Sequence, residues 1–79
     1  MDQRIFELNL SVEATSLYLL MVPLSDSGAI LDRPTMLKFW NSGPEELDRA
    51  LAELEERGVI SGGRQGRWHI QPVGNWRME

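Results

Sequence analysis

The sequence predicts a small α+β domain in which three helices are followed by a C-terminal two-stranded β-hairpin. Apolar residues recur at three- and four-residue spacing in three segments before residue 58, a period typical of amphipathic helices. Two strand-like runs then flank a glycine-rich loop, an order typical of a hairpin. Because 79 residues suffice for one core only, we expect a single domain over residues 1–79, with its core at about residues 11–73.

The chain begins with a short alternating segment. Phe6, Leu8 and Leu10 alternate with polar residues, which is the period-two pattern of a half-buried strand. We therefore expect a short N-terminal strand over residues 5–10. A helical or disordered start is the alternative, because the segment is so short.

The first two helices are indicated by their caps as well as by their spacing. Ser11 and Asp32 are N-cap residues by type, and Pro34 falls in the first turn of the second helix, where its missing N–H costs little. We expect Pro23 to kink or end the first helix. The apolar stripe of the first helix is Ala14, Leu17, Leu20, Met21 and Leu24, and that of the second is Met36, Leu37 and Trp40.

The third helix, predicted over residues 44–57, is the best specified. Its N-cap is Gly43, or alternatively Ser42 in a capping box with Glu45. Gly58 is placed to end it in a left-handed conformation, with the next residue touching Leu54. Two acid-before-base pairs at four-residue spacing favour the helix: Glu45–Arg49 and Glu53–Arg57.

The hairpin consists of the runs 59–61 and 67–71, joined by the loop 62–66. Pro72 ends the second strand, because it cannot donate to a sheet ladder. Residues 74–79 form a tail without a clear period.

Composition excludes several kinds of site. The chain has no cysteine and a single histidine, so we expect no metal centre, and nothing marks a nucleophile with its base. The glycine-rich loop lacks the lysine and hydroxyl residue of a phosphate-binding loop and follows a helix rather than opening one. We therefore expect no enzyme activity and no cofactor.

The longest apolar run, residues 17–24, is far shorter than the roughly 20 residues that a membrane-spanning helix needs. The chain start also lacks the pattern of a secretory signal, so we expect a soluble, cytoplasmic protein without membrane contact.

The net charge of −4 is unevenly distributed along the chain. Residues 44–57 hold six acids and two bases, whereas residues 58–79 hold one acid and three arginines. A nucleic-acid-binding domain usually has a basic surface, because neutralised phosphates supply most of its affinity. In this chain only the last quarter, residues 58–79, has a net positive charge.

The order of elements is a helix, a short extended segment, a short helix, a tight turn, a longer helix and a hairpin. This order resembles the winged-helix variety of helix-turn-helix domain over about Ser11 to Val73. The most telling stretch is PEELDRALAELEERGVI, residues 44–60, followed by the arginine-bearing hairpin. In that family the third helix enters the DNA major groove, and the hairpin, or wing, contacts the DNA backbone or minor groove.

The resemblance implies a DNA-binding or transcription-regulatory module that binds double-stranded DNA. Its implied nucleic-acid contacts are Arg33, Lys38, Arg49, Arg64, Arg67 and His69. The front of the third helix departs from the family pattern, because the carboxylates there repel phosphate. The arginines also have a simpler interpretation. Arg49 can pair with neighbouring glutamates, and Arg64 and Arg67 can keep the edge strand of the hairpin from pairing with other chains.

The charge distribution favours an alternative, a winged-helix adaptor that binds a protein and no DNA. Its contact surface is the acidic third helix or the apolar residues near the chain ends. The contact residues of this alternative are Glu45, Glu46, Glu53 and Trp76. In either case we expect a monomer or a weak homodimer, because only the N-terminal segment or the tail is available for dimerisation.

Overall fold

A computed structural model describes residues 2–77 and confirms the α+β class, with helices and one two-stranded antiparallel hairpin. The helices are α1 (Val12–Asp26), α2 (Arg33–Phe39) and α3 (Pro44–Glu56), and the strands are β1 (Ile60–Ser61) and β2 (His69–Ile70). Short 3₁₀ helices cover Gln3–Leu8, Gly63–Gln65 and Val73–Asn75. Of the predicted tail, residues 78 and 79 lie outside the described part, as does residue 1 of the predicted domain.

The predicted N-terminal strand is wrong, because this segment forms the 3₁₀ helix Gln3–Leu8. A 3₁₀ helix has three residues per turn, so Ile5 and Leu8 lie on the same side and are both buried. Phe6, which the strand pattern places inside, is 55% exposed. The apolar–polar alternation of residues 6–10 therefore does not reflect a strand. The three-residue spacing of Ile5 and Leu8 is the pattern that the structure uses, because it places both side chains in the core.

Helix α1 begins where its cap predicts and continues past its proline. The Ser11 hydroxyl accepts a hydrogen bond from the Ala14 N–H at 3.1 Å. The helix runs on through Pro23 to Asp26, so the proline does not end it. A turn with Gly28 at a φ of +85° then leads to the extended segment before α2.

The caps of α2 and α3 follow the sequence closely. The Asp32 carboxylate accepts from the Thr35 N–H at 2.9 Å, as an N-cap does. Helix α3 starts after Gly43, so the alternative cap at Ser42 is not adopted. At its end, the Val59 N–H donates to the Leu54 carbonyl at 3.0 Å, and Gly58 has a φ of +73°, as a Schellman motif requires.

The predicted charge pairs along α3 are replaced by other contacts. Arg49 lies 3.7 Å from Glu46, one position closer along the helix than the expected Glu45. Both carboxylate oxygens of Glu53 accept from Ser11, at 2.8 Å from its N–H and 2.7 Å from its hydroxyl. The Arg57 guanidinium donates to the backbone carbonyl of Leu8 at 3.1 Å. Side chains of α3 and of its C-cap residue Arg57 thus bind the chain that precedes α1.

The hairpin has a register in which Ile60 faces Ile70 and Ser61 faces His69. The extended segment before α2 lies on the other side of β2, where the Trp68 N–H donates to the Leu31 carbonyl at 2.9 Å. An isolated bridge joins Asp32 to Arg67 at the same place. The hairpin is thereby attached to the helical part of the domain.

One core lies between α1, α3 and the segments at both chain ends, and the most extensive contact between elements is that of α1 with α3. Trp76 belongs to this core, being only 6% exposed, and its ring meets Tyr18 edge-on at 5.7 Å between centroids. Its indole N–H donates to the Gln71 carbonyl at 2.9 Å. Trp76 is therefore a packing residue, which corrects its prediction as a partner contact.

We predict that Gly58→Ala destabilises the domain more than Gly28→Ala does. Both glycines have positive φ, which costs an alanine about 1–2 kcal/mol. A Cβ at position 58 would also collide with the backbone carbonyl of Asn75, whereas a Cβ at position 28 meets nothing within 4 Å. Urea unfolding of the two variants measures the difference, and equal losses would show that Asn75 does not press on Gly58.

Candidate functional site

Two of the predicted nucleic-acid contacts are engaged with acids of α3. The Arg33 guanidinium makes two hydrogen bonds to the Asp48 carboxylate, at 3.0 and 3.1 Å. These bonds lower the pKa of Asp48 below its ordinary value and raise the pKa of Arg33. Arg49 is the cation that lies near Glu46. A phosphate would have to compete with a carboxylate at both positions.

The other predicted contacts lie on α2 and on the hairpin, all with exposed side chains. Lys38 is on α2, and Arg64 is at the hairpin tip. Arg67 stands opposite Asp32, and His69 opposite Ser61. Arg64 borders two shallow depressions, and Glu55 borders both of them as well. The hairpin cations thus have acids as neighbours and do not form a uniformly basic surface.

The outward side of α3 is acidic and partly committed to the hairpin. Glu45, Asp48 and Glu55 are exposed there. Glu55 accepts a hydrogen bond from the Trp68 indole N–H at 2.7 Å, so this carboxylate positions the hairpin against the helix. If this side faced DNA, carboxylates would meet the phosphates first.

Two exposed apolar side chains border a groove between the start of α1 and the end of α2, here called the α1–α2 groove. Its volume is about 310 Å³. Val12 is 78% exposed and Phe39 is 51% exposed, so the groove presents two large apolar side chains to solvent. The residues that line it are Val12, Glu13, Ser16, Leu20, Phe39, Trp40, Asn41 and Ser42.

The groove is built by helix spacing and by one tight turn. Val12, Ser16 and Leu20 are four residues apart and therefore follow one side of α1. Helix α2 ends at Phe39, and the Trp40 indole N–H donates to the Gly43 carbonyl at 3.1 Å, which closes the turn into α3. That bond fixes the aromatic wall of the groove.

An acidic depression adjoins the groove, and Glu13 borders both. Its other charged residues are Glu46, Arg49 and Glu53, so three acids surround one arginine. Glu46 and Glu53 were predicted as partner contacts, and the structure brings these two together beside the groove. Glu45 lies on the neighbouring exposed surface of α3, and the buried Trp76 lies elsewhere.

Sequence reasoning missed Val12 and Phe39 as surface residues. Phe39 was noticeable because it flanks the apolar side of α2 and does not belong to it. Val12 carried a signal too, since it directly follows the N-cap and lies two positions before Ala14, where the apolar stripe begins. Which apolar side chains stay uncovered depends on how α1 and α2 meet, and that is a tertiary property.

The chain matches no protein-family model, no curated protein and no solved structure at a significant level. Within residues 2–77, no helix has the length and apolar character to cross a membrane. In the same part of the chain, histidine and carboxylate side chains do not gather in groups of three or more that could hold a metal.

We predict that the Arg33–Asp48 pair makes folding sensitive to acid. A carboxyl whose pKa is lowered by folding stabilises the fold above its unfolded pKa, about 3.9 for aspartate, and this stabilisation is lost as the pH falls through the lowered value. Asp48→Asn and Arg33→Ala should each make the free energy of unfolding fall less steeply below about pH 4. Urea unfolding at several pH values measures this slope, and an unchanged slope in both variants would contradict the assignment.

Proposed function

We propose that this chain is an interaction module of winged-helix architecture that binds a protein partner at the α1–α2 groove. The order of the helices and the hairpin supports the architecture. The extended segment at Leu31 and Asp32, which pairs beside β2, supports it further, because it attaches the hairpin where a wing belongs.

The observation that carries the function is the exposure of Val12 and Phe39 in one groove. Large apolar side chains exposed together and rimmed by polar groups mark interaction surfaces, because covering them releases water from apolar area. Here the rim is supplied by Glu13 and by the carboxylates of the adjoining depression. A protein partner can supply both the apolar cover and the complementary charge.

The charges on α3 support a protein partner over DNA. Helix insertion into a DNA groove needs cations along the inserted surface, since phosphate neutralisation provides most of the attraction. The exposed surface of α3 instead carries Glu45, Asp48 and Glu55, and the cations nearest to it, Arg33 and Arg49, lie against carboxylates.

Site-specific photo-cross-linking in cells that contain the protein tests this proposal. A photoreactive amino acid at Val12 should give an adduct of defined mass, and the same group at Ile30 should not. Ile30 is the matched control because it is 52% exposed and lies outside the groove. Adding Phe39→Ser should abolish the adduct from position 12. Adducts that are absent, or equal from both positions, would refute the groove as the contact surface.

A second candidate function, binding to duplex DNA, is favoured by the hairpin alone. Arg64 and Arg67 are exposed at and near its glycine-rich tip, and His69 follows on β2. Two arginines on a hairpin suit contact with the phosphate backbone, which positions a protein without reading sequence.

Titration of labelled duplex DNA at low and at physiological salt decides on this second candidate. With two phosphate contacts, the logarithm of the binding constant should fall with a slope of about −2 against the logarithm of salt concentration. Arg64→Ala combined with Arg67→Ala should weaken binding to all sequences alike and flatten that slope. Glu45→Ala, the control, should leave binding unchanged or improved. Absence of binding at low salt would eliminate the DNA candidate.

A further inference from the structure

We propose, on the basis of the groove function proposed above, that the segment bound in the α1–α2 groove is a basic amphipathic helix of the partner protein. The groove determines the shape of the bound segment, and the acids beside it determine the charge. Each property restricts the partner independently.

The dimensions of the groove suit a short helix. Val12, Ser16 and Leu20 extend along α1 for about 12 Å, because a helix rises 1.5 Å per residue. An amphipathic helix presents its anchors at positions i, i+3 or i+4, and i+7, which spans a similar length. The volume of about 310 Å³ is at the lower end of the range for small-molecule pockets and has room for a few such side chains.

The charge beside the groove selects a basic segment. Glu13 is exposed and borders both the groove and the acidic depression. Glu46 and Glu53 add two carboxylates there against the single guanidinium of Arg49. A lysine or arginine beside an apolar anchor would face Glu13, and charges interact across a screening distance of about 8 Å at physiological salt. An acidic segment would be repelled.

A second copy of this chain does not meet these requirements. The chain has a net charge of −4, and the helix with the clearest apolar and polar sides, α3, is acidic and buries its leucines in the core. A copy that docked through its α3 would bring carboxylates toward carboxylates, and the basic residues 58–79 offer no long amphipathic helix in its place. The bound segment is therefore assigned to a different protein.

Designed peptides test the chemistry of the bound segment directly. The probe is a helical peptide of leucine and lysine, about 14 residues or four turns long. One comparison peptide has glutamate in place of lysine, and another has the same leucines and lysines in an order without an apolar side. NMR amide shifts of the full chain measure binding, and the Trp40 indole N–H reports on the groove itself through its bond to Gly43.

We expect the leucine–lysine peptide to bind and to shift the signals of Val12, Phe39 and the Trp40 indole, whereas the two comparison peptides do not. Phe39→Ser should weaken binding about tenfold, the effect of removing part of one buried aromatic side chain, and Ile30→Ser should leave it unchanged. Glu13→Gln should weaken binding about twofold at physiological salt, and Glu7→Gln, whose side chain is exposed outside the groove, should not.

Three results would overturn the inference. If the glutamate peptide binds as well as the lysine peptide, the acids do not select the bound segment. If no peptide binds while Val12 still cross-links to a partner in cells, the groove function stands but its partner has another chemistry. If sedimentation shows a dimer that Phe39→Ser dissociates, the groove binds a second copy. Failure of the cross-link and the peptides together would remove the proposed function itself.

Discussion

The hydrogen bonds between Ser11 and Glu53 are the constraint on which the rest of the structure depends. Ser11 donates its N–H and its hydroxyl to the two oxygens of one carboxylate, 42 positions along the chain, and its hydroxyl also caps α1. The start of α1 is thereby fixed in position and in rotation against α3. This attachment acts together with the burial of Ala14, Leu17 and Met21 against the core, and the same rotation of α1 leaves Val12 in solvent beside the groove.

The fold was predictable from the sequence where a local signal decided the outcome, and much less so elsewhere. The caps at Ser11 and Asp32 and the helix end at Gly58 depend on bonds to residues a few positions away, so residue type alone indicates them. The N-terminal segment differs, because a 3₁₀ helix and a strand can carry the same short pattern, and burial of Ile5 decides between them. Trp76 was equally undecidable, since its burial depends on Tyr18, 58 positions earlier.

The candidate site was predictable only in part, for the same physical reason. Glu46 and Glu53 belong to an acidic run that the sequence displays openly, but their proximity to Glu13 requires α1 to lie along α3. Charge partners were the hardest to predict. Simple spacing assigns Glu53 to Arg57, yet Glu53 accepts two hydrogen bonds from Ser11, and Arg57 donates to backbone carbonyls instead. Both partners lie far from α3 in the sequence, so helix spacing could not indicate them.

Many basic side chains of this domain bind groups of the chain itself, and this contributes to its acidic surface. The chain has no cysteine and hence no disulfide to restrain it, and several arginines bind acids or backbone carbonyls of the chain itself: Arg4, Arg33, Arg49, Arg57 and Arg77. Arg57 and Arg77 bind backbone carbonyls, and so attach the N-terminal segment and the tail to the end of α3. Cations used in this way contribute little to attraction for phosphate. The acids outnumber the basic residues, and three of them, Glu13, Glu46 and Glu53, lie at or beside the groove, where positive charge on a partner would be complementary.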